Sequence, residues 1–141
     1  MDSKDIVILI GLPGAGKTFY GKKNYIDYEF IDDCISTEYL LKFLNENSQK
    51  SKIAVASPWF VCENKLEITK EMLLNYGKKN NCKMNIQCIY FENDPIQCLQ
   101  NVKYRDDGRR VNGFIKNYTK GYTIPVGVTP IKIFKTQSLD K

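Results

Sequence analysis

The sequence predicts an α/β fold, a single domain spanning residues 1–141 with a mostly parallel sheet of about five strands flanked by helices. Three observations predict it. Short apolar runs rich in β-branched residues alternate with stretches of helical periodicity. The first run, DIVILI at 5–10, is almost continuously apolar, as a strand covered on both faces of a parallel sheet must be. The length, 141 residues, is that of one domain with a real core.

The elements follow in order. After DIVILI comes GLPGAGKT at 11–18, and a helix can start at 17 and run to 25. YEFI at 28–31 reads as the second strand. STEYLLKFLNEN at 36–47 places Tyr39, Leu40, Phe43 and Leu44 on one helical face, with Ser36 or Thr37 as N-cap. KIAVAS at 52–57 is a third strand, ended by Pro58. Residues 64–79 set Leu66, Met72, Leu73 and Tyr76 along one helical face, and MNIQCIYF at 84–91 is the fourth strand. In NDPIQCLQNV, Asp94 suits the N-cap, Pro95 the first helical position and Gln97 the reciprocal place in a capping box. A short helix over 111–120 and a last strand, IKIF at 131–134, complete the alternation. In sheets of this kind, ligands bind at the carboxyl ends of the strands.

Composition narrows the chemistry. Hydrophobic residues make up 43% and charged residues 26%, an ordinary balance for a globular chain. No run approaches the roughly 20 apolar residues of a membrane span, and the charged start MDSKD does not read as a signal peptide. The expectation is a cytoplasmic protein. The Lys-, Asn-, Ile- and Tyr-rich composition hints at an A/T-rich genome such as a phage's, which would make the compartment the host cytoplasm. Five cysteines without a C-x-x-C pair, and no histidine, speak against zinc sites and disulfide frameworks. The missing histidine also removes Ser-His-Asp and Cys-His schemes. The net charge of +5 suits an anionic substrate such as a nucleotide or nucleic acid. Eighteen of the 21 basic residues are lysines, and the three arginines, Arg105, Arg109 and Arg110, all fall in the six-residue stretch RDDGRR.

GLPGAGKT matches G-x-x-x-x-G-K-[ST], the phosphate-binding P-loop. Gly11, Gly14 and Gly16 let the backbone bend until successive N–H groups face a phosphate, with Pro13 and Ala15 completing the turn. The helix that follows adds the positive end of its dipole. Lys17 is placed to reach the β- and γ-phosphates, and Thr18 to offer its hydroxyl to Mg²⁺. A chance match in a chain of this length is roughly a one-in-a-few-hundred event at background composition. A GTPase would carry N-K-x-D late in the chain; NKLE at 64–67 comes too early and ends in Glu, and reads as the start of a surface helix. The length suits a small kinase.

Such an enzyme must position a hydroxyl acceptor and neutralise the moving phosphoryl. Asp32 and Asp33 follow the second strand, where a carboxylate can accept the acceptor's proton or help hold Mg²⁺. The arginine cluster falls where a mobile lid, around 105–112, would bring guanidinium groups onto phosphate, with Gly108 as a hinge. Trp59, in SPWF just past the third strand, is either a stacking surface for a nucleobase or packing beneath a loop. Lys22 and Lys23 read as a solvated helix face.

The order strand, GLPGAGKT, DD, strand, YFENDPIQCLQN, RDDGRRV, YTIP resembles the P-loop kinase family that includes bacteriophage polynucleotide 5′-hydroxyl kinases, and the small P-loop kinase-like proteins of phages. The likeness spans most of the chain. It implies a P-loop NTPase fold, ATP or another NTP with Mg²⁺ as cofactors, and transfer of the γ-phosphoryl to a hydroxyl, foremost a nucleic acid 5′-hydroxyl. By the same resemblance Asp32 is the general base with Asp33 beside it at the metal. Arg105 or Arg109 is the catalytic lid arginine, and Arg110 joins the nucleotide contacts. One position departs. Members usually carry an aspartate at the end of the third strand, and Ser57 stands there, so Ser57 and Trp59 become candidates for acceptor binding. Two other readings stay open: a kinase of nucleosides, nucleotides or other small molecules, and a nucleotide-binding regulator with little turnover.

Overall fold

The computed structural model describes residues 2–32, 34, 36–105 and 118–133, with the side chains of 103–105 outside the description. Four strands form one parallel sheet: β1 (Asp2–Ile10), β2 (Glu29–Ile31), β3 (Lys52–Ser57) and β4 (Cys82–Tyr90), in the order β2-β3-β1-β4. Between them run α1 (Lys17–Asn24), α2 (Thr37–Glu46) and α3 (Glu63–Lys79), and α4 (Pro95–Arg105) follows β4. The architecture is α/β, with helices flanking a parallel sheet.

β1 is central because it is apolar on both faces. Ile6, Ile8, Leu9 and Ile10 are wholly buried, each burial stabilising the fold by about 1.5–3 kcal/mol. Its register aligns Ile10 with Ser57 of β3 on one side and with Tyr90 of β4 on the other, so the three strands end at one rim. Ile31 of β2 pairs with Val55, bringing Asp32 to the same rim. The connection β1 to β2 travels in one direction across the sheet, and those from β2 to β3 and β3 to β4 travel in the other. Right-handed crossovers therefore place α1 on one face and α2 and α3 together on the opposite face. α2 and α3 touch there: the Thr37 and Thr69 hydroxyls lie 3.2 Å apart, and the Tyr76 hydroxyl donates to the Leu44 carbonyl at 3.3 Å.

Helix termini follow local chemistry. Ser36 caps α2, its Oγ accepting from the Tyr39 N–H at 3.0 Å. Asp94 caps α4 in the same way, accepting from the Gln97 N–H at 3.1 Å. The expected capping box is only half made, because the Gln97 side chain turns along the helix and donates to Asn101 Oδ1 at 2.9 Å. Tyr39, expected on the buried face of α2, is 49% exposed; Leu40 and Leu44 carry the core contact, and Tyr39 sits one residue off their stripe.

The expected strand over 131–134 is reduced, among the described residues, to a parallel bridge between Ile131 and Phe91. Beyond the bridge, the Ile133 N–H donates to the Glu92 side chain rather than to a strand backbone. Of the expected helix over 111–120, residues 118–120 are described and helical, and the turn continues to 121.

Candidate functional site

The carboxyl rim of the sheet gathers the glycine loop, Asp32 and Ser57. Residues 11–16 leave β1, turn over its end and enter α1. Leu12 is fully buried and Ala15 almost so, and these two anchor the loop to the core while Pro13 stays half-buried. Gly14 and Gly16 have φ of 86° and 93°, the left-handed region that a side chain disfavours. Gly16 is the N-cap of α1 and brings no side chain to its first amides, so the turn ends on unsubstituted backbone at a helix N-terminus. The Ala15 N–H donates to the Leu12 carbonyl at 3.1 Å, closing the turn.

Lys17 is 9% exposed and folds back over the loop, its Nζ donating to the Gly11 and Leu12 carbonyls at 2.8 Å each. Thr18 follows on α1, and its hydroxyl donates to Asp32 Oδ2 at 3.1 Å. This contact joins two residues read separately from the sequence, one from the loop and one from the end of β2. Both side chains are accessible, and their oxygens are hard donors of the kind that share a Mg²⁺ with phosphates and water. No group of three or more His, Cys, Asp or Glu placed to hold a metal by themselves occurs among the described residues.

Ser57 is 3% exposed at the end of β3, directly beside Ile10. Its Oγ accepts from the Trp59 N–H at 3.1 Å and caps a short 3₁₀ turn over Pro58–Val61. Serine at this place therefore acts as a cap as well as a strand end. Trp59 is half-buried, packs edge-on against Phe60 at 5.4 Å, and carries the Lys65 ammonium over its ring at 5.2 Å. Of its two expected roles, the packing against Phe60 is the one these contacts describe, and the ring face that meets Lys65 is already partnered within the chain.

The lid expectation lies mostly beyond view. Arg105 ends α4, with its side chain outside the description; Asp33, Arg109 and Arg110 lie outside the described residues.

Two contacts at the rim were not foreseen. Asn101, 3% exposed on α4, donates from Nδ2 to the Gly14 carbonyl at 2.9 Å. Tyr122 buries its phenol beneath the loop, donating to the Phe91 carbonyl and, at 3.2 Å, to that of Ile10. The sequence signal for the first was the i, i+4 spacing of Gln97 and Asn101, two amides on one face of a helix. At the opposite end of the sheet, a polar cleft holds Lys52 with Asp27 at 2.7 Å and Lys50 with Glu29 at 3.7 Å.

Cys98, wholly buried under Gly14, is kept a neutral thiol: burial pushes it up to about 12 against the pull of the Lys17 ammonium. Burial likewise raises Cys34 and the Tyr122 phenol. An unfolded thiol titrates near about 8.5. Above that value the unfolded chain gives up a proton that the folded Cys98 retains. Stability from this group is thus fully present below about pH 8.5 and is lost as pH rises toward 12. The urea midpoint is expected to fall steadily over that window, and a midpoint that holds or rises would contradict the assignment.

No family model matches the chain. It is 29% identical over 125 residues to the uncharacterized protein R277 of Acanthamoeba polyphaga mimivirus, an alignment covering 86% of this chain and 88% of that protein.

Proposed function

We propose that the chain is a Mg²⁺-dependent P-loop kinase that transfers the γ-phosphoryl of ATP to a hydroxyl, foremost the 5′-hydroxyl of a nucleic acid. The observation that carries this reading is the 3.1 Å contact between the Thr18 hydroxyl and Asp32, set beside a glycine loop over which Lys17 is folded. Together they supply what phosphoryl transfer asks of a protein: backbone donors and a cation for the phosphates, and a carboxylate for the acceptor. The order β2-β3-β1-β4 supports it, because the connections leaving the neighbouring strands β1 and β3 pass to opposite faces of the sheet, the arrangement that opens a crevice at the carboxyl ends.

In this reading the loop amides and Lys17 hold the β- and γ-phosphates. Thr18 fixes one oxygen of Asp32 and leaves the other for the acceptor. The acceptor oxygen attacks the γ-phosphorus, the bond to the bridging β,γ-oxygen breaks, and the acceptor's proton passes to Asp32 as ADP departs. Thr18 and Asp32 are the residues that would hold Mg²⁺, which when bound neutralises charge on the phosphates. The polynucleotide acceptor rests on the resemblance read in the sequence; to stack a base on the Trp59 face that Lys65 covers, that cation would have to move aside.

A second reading, a nucleotide-binding regulator, draws on Ser57. Its Oγ is engaged in capping the 3₁₀ turn, and it brings no carboxylate to the end of β3. Transfer from γ-labelled ATP with Mg²⁺ separates the readings, using 5′-hydroxyl DNA and RNA oligonucleotides, nucleosides, nucleotides and water alone as acceptors. Label on an oligonucleotide end, lost by at least about 100-fold in Lys17→Ala, is the expected result. Label only on a small acceptor replaces the substrate, and ATP binding without label on anything establishes the regulator.

A further inference from the structure

Beneath the glycine loop, two side-chain amides form a chain that ends on the loop backbone. Gln97 Nε2 donates to Asn101 Oδ1 at 2.9 Å, which fixes the orientation of the Asn101 amide. Asn101 Nδ2 then donates to the Gly14 carbonyl at 2.9 Å, across 87 positions of sequence. The donor comes from a residue only 3% exposed, and a buried amide left unmatched is costly. Around the contact, α4 and the loop are in close approach. A Cβ on Gly14 would lie 2.5 Å from the Cys98 carbonyl oxygen and 2.9 Å from Val102 Cγ2.

The consequence follows from peptide geometry. In a trans peptide the carbonyl of one residue and the N–H of the next point in opposite directions. Asn101 draws the Gly14 carbonyl outward, toward α4. The same peptide must then turn the Ala15 N–H inward, and that N–H does face the Leu12 carbonyl across the turn at 3.1 Å. Without Asn101, only the Ala15 N–H bond to Leu12 restrains the Gly14–Ala15 peptide, which can then rotate more readily and present its carbonyl, the wrong charge for an anion, to the inside of the loop.

We infer that Asn101, itself oriented by Gln97, is a positioning residue that holds the Gly14 carbonyl out of the loop, so that no carbonyl oxygen faces a polyphosphate bound there. This deepens the proposed function and rests on its reading of the loop as a phosphate site. It assigns α4 a role in ligand binding although neither amide touches the ligand.

The test compares wild type, Asn101→Ala, Gln97→Ala and the double variant by two readouts. One is hydrogen exchange over residues 11–18 without ligand. The other is binding of ATP and of tripolyphosphate, which has the phosphates and no base. Asn101→Ala is expected to speed exchange at the Ala15 amide about tenfold and to weaken ATP and tripolyphosphate by a common factor of about ten, the size of one hydrogen bond. Gln97→Ala, at a half-buried position that leaves the Gly14 contact in place, moves both readouts the same way by less, and the double variant is no worse than Asn101→Ala alone. Unchanged loop exchange with unchanged ATP affinity overturns the inference. So does a uniform rise in exchange across the whole protein in both single variants, which marks a structural role only. If wild type binds neither ATP nor tripolyphosphate, the reading of the site falls, while the loop exchange still reports whether Asn101 orients the peptide.

Discussion

Replacing Gly14 with alanine is expected to lower stability by about 2–5 kcal/mol and to abolish nucleotide binding. Two separate costs add. The residue has φ of 86°, where a Cβ costs about 1–2 kcal/mol. The new methyl would also lie 2.5 Å from a backbone carbonyl of α4, closer than real Cβ contacts come, so the loop or the helix must shift. Gly127 supplies an internal control. It has the same φ of 86°, and a Cβ there meets nothing within 4 Å. Gly127→Ala isolates the backbone cost and is expected to lose only about 1–2 kcal/mol with binding intact. Urea unfolding of the two variants, paired with ATP titration, reads both quantities. Equal losses in the two variants would show that the packing of α4 against the loop carries no weight, and would also weaken the role assigned to Asn101.

The strand, glycine loop and helix at 5–24 were readable because apolar continuity, glycine spacing and helix entry all agree locally. Ser36 as a cap of α2 and Asp94 as a cap of α4 were readable for the same reason, since each bonds a backbone N–H three residues away. Ser57 at the end of β3 was placed correctly by the stop at Pro58. The errors arose where a distant partner decides the outcome. Gln97 has a local rule pointing backward to the cap and a tertiary reason to point forward, and the buried Asn101 wins. β4 begins at Cys82, two residues before its expected start, because Asp2 and Ser3 of β1 extend far enough to pair with Cys82 and Lys83. Nothing local to α4 marks Asn101, because its partner is a loop 87 positions earlier in the sequence.

The Asp32 variants carry the largest expected effect on activity. The third strand ends in Ser57, which brings no carboxylate to the rim. The carboxylate that meets the Thr18 hydroxyl comes from the end of β2. In the proposed mechanism Asp32 therefore occupies a shared position, bonded to Thr18 through one oxygen and offering the other to the acceptor. Asp32→Ala removes both and is expected to reduce transfer by about 10³-fold, about 4 kcal/mol of transition-state stabilisation, with the affinity for ATP little changed. Asp32→Asn separates the two roles. An amide oxygen still accepts from Thr18 and keeps the local geometry, but it cannot take up a proton at neutral pH. If Asp32 acts as the base, the asparagine variant falls nearly as far as the alanine variant in single-turnover transfer. If its work is to hold Thr18, asparagine retains most of the activity and Thr18→Ala reproduces the loss seen in Asp32→Ala. Transfer that survives undiminished in Asp32→Ala would remove this residue from the mechanism and leave the glycine loop as a binding element alone.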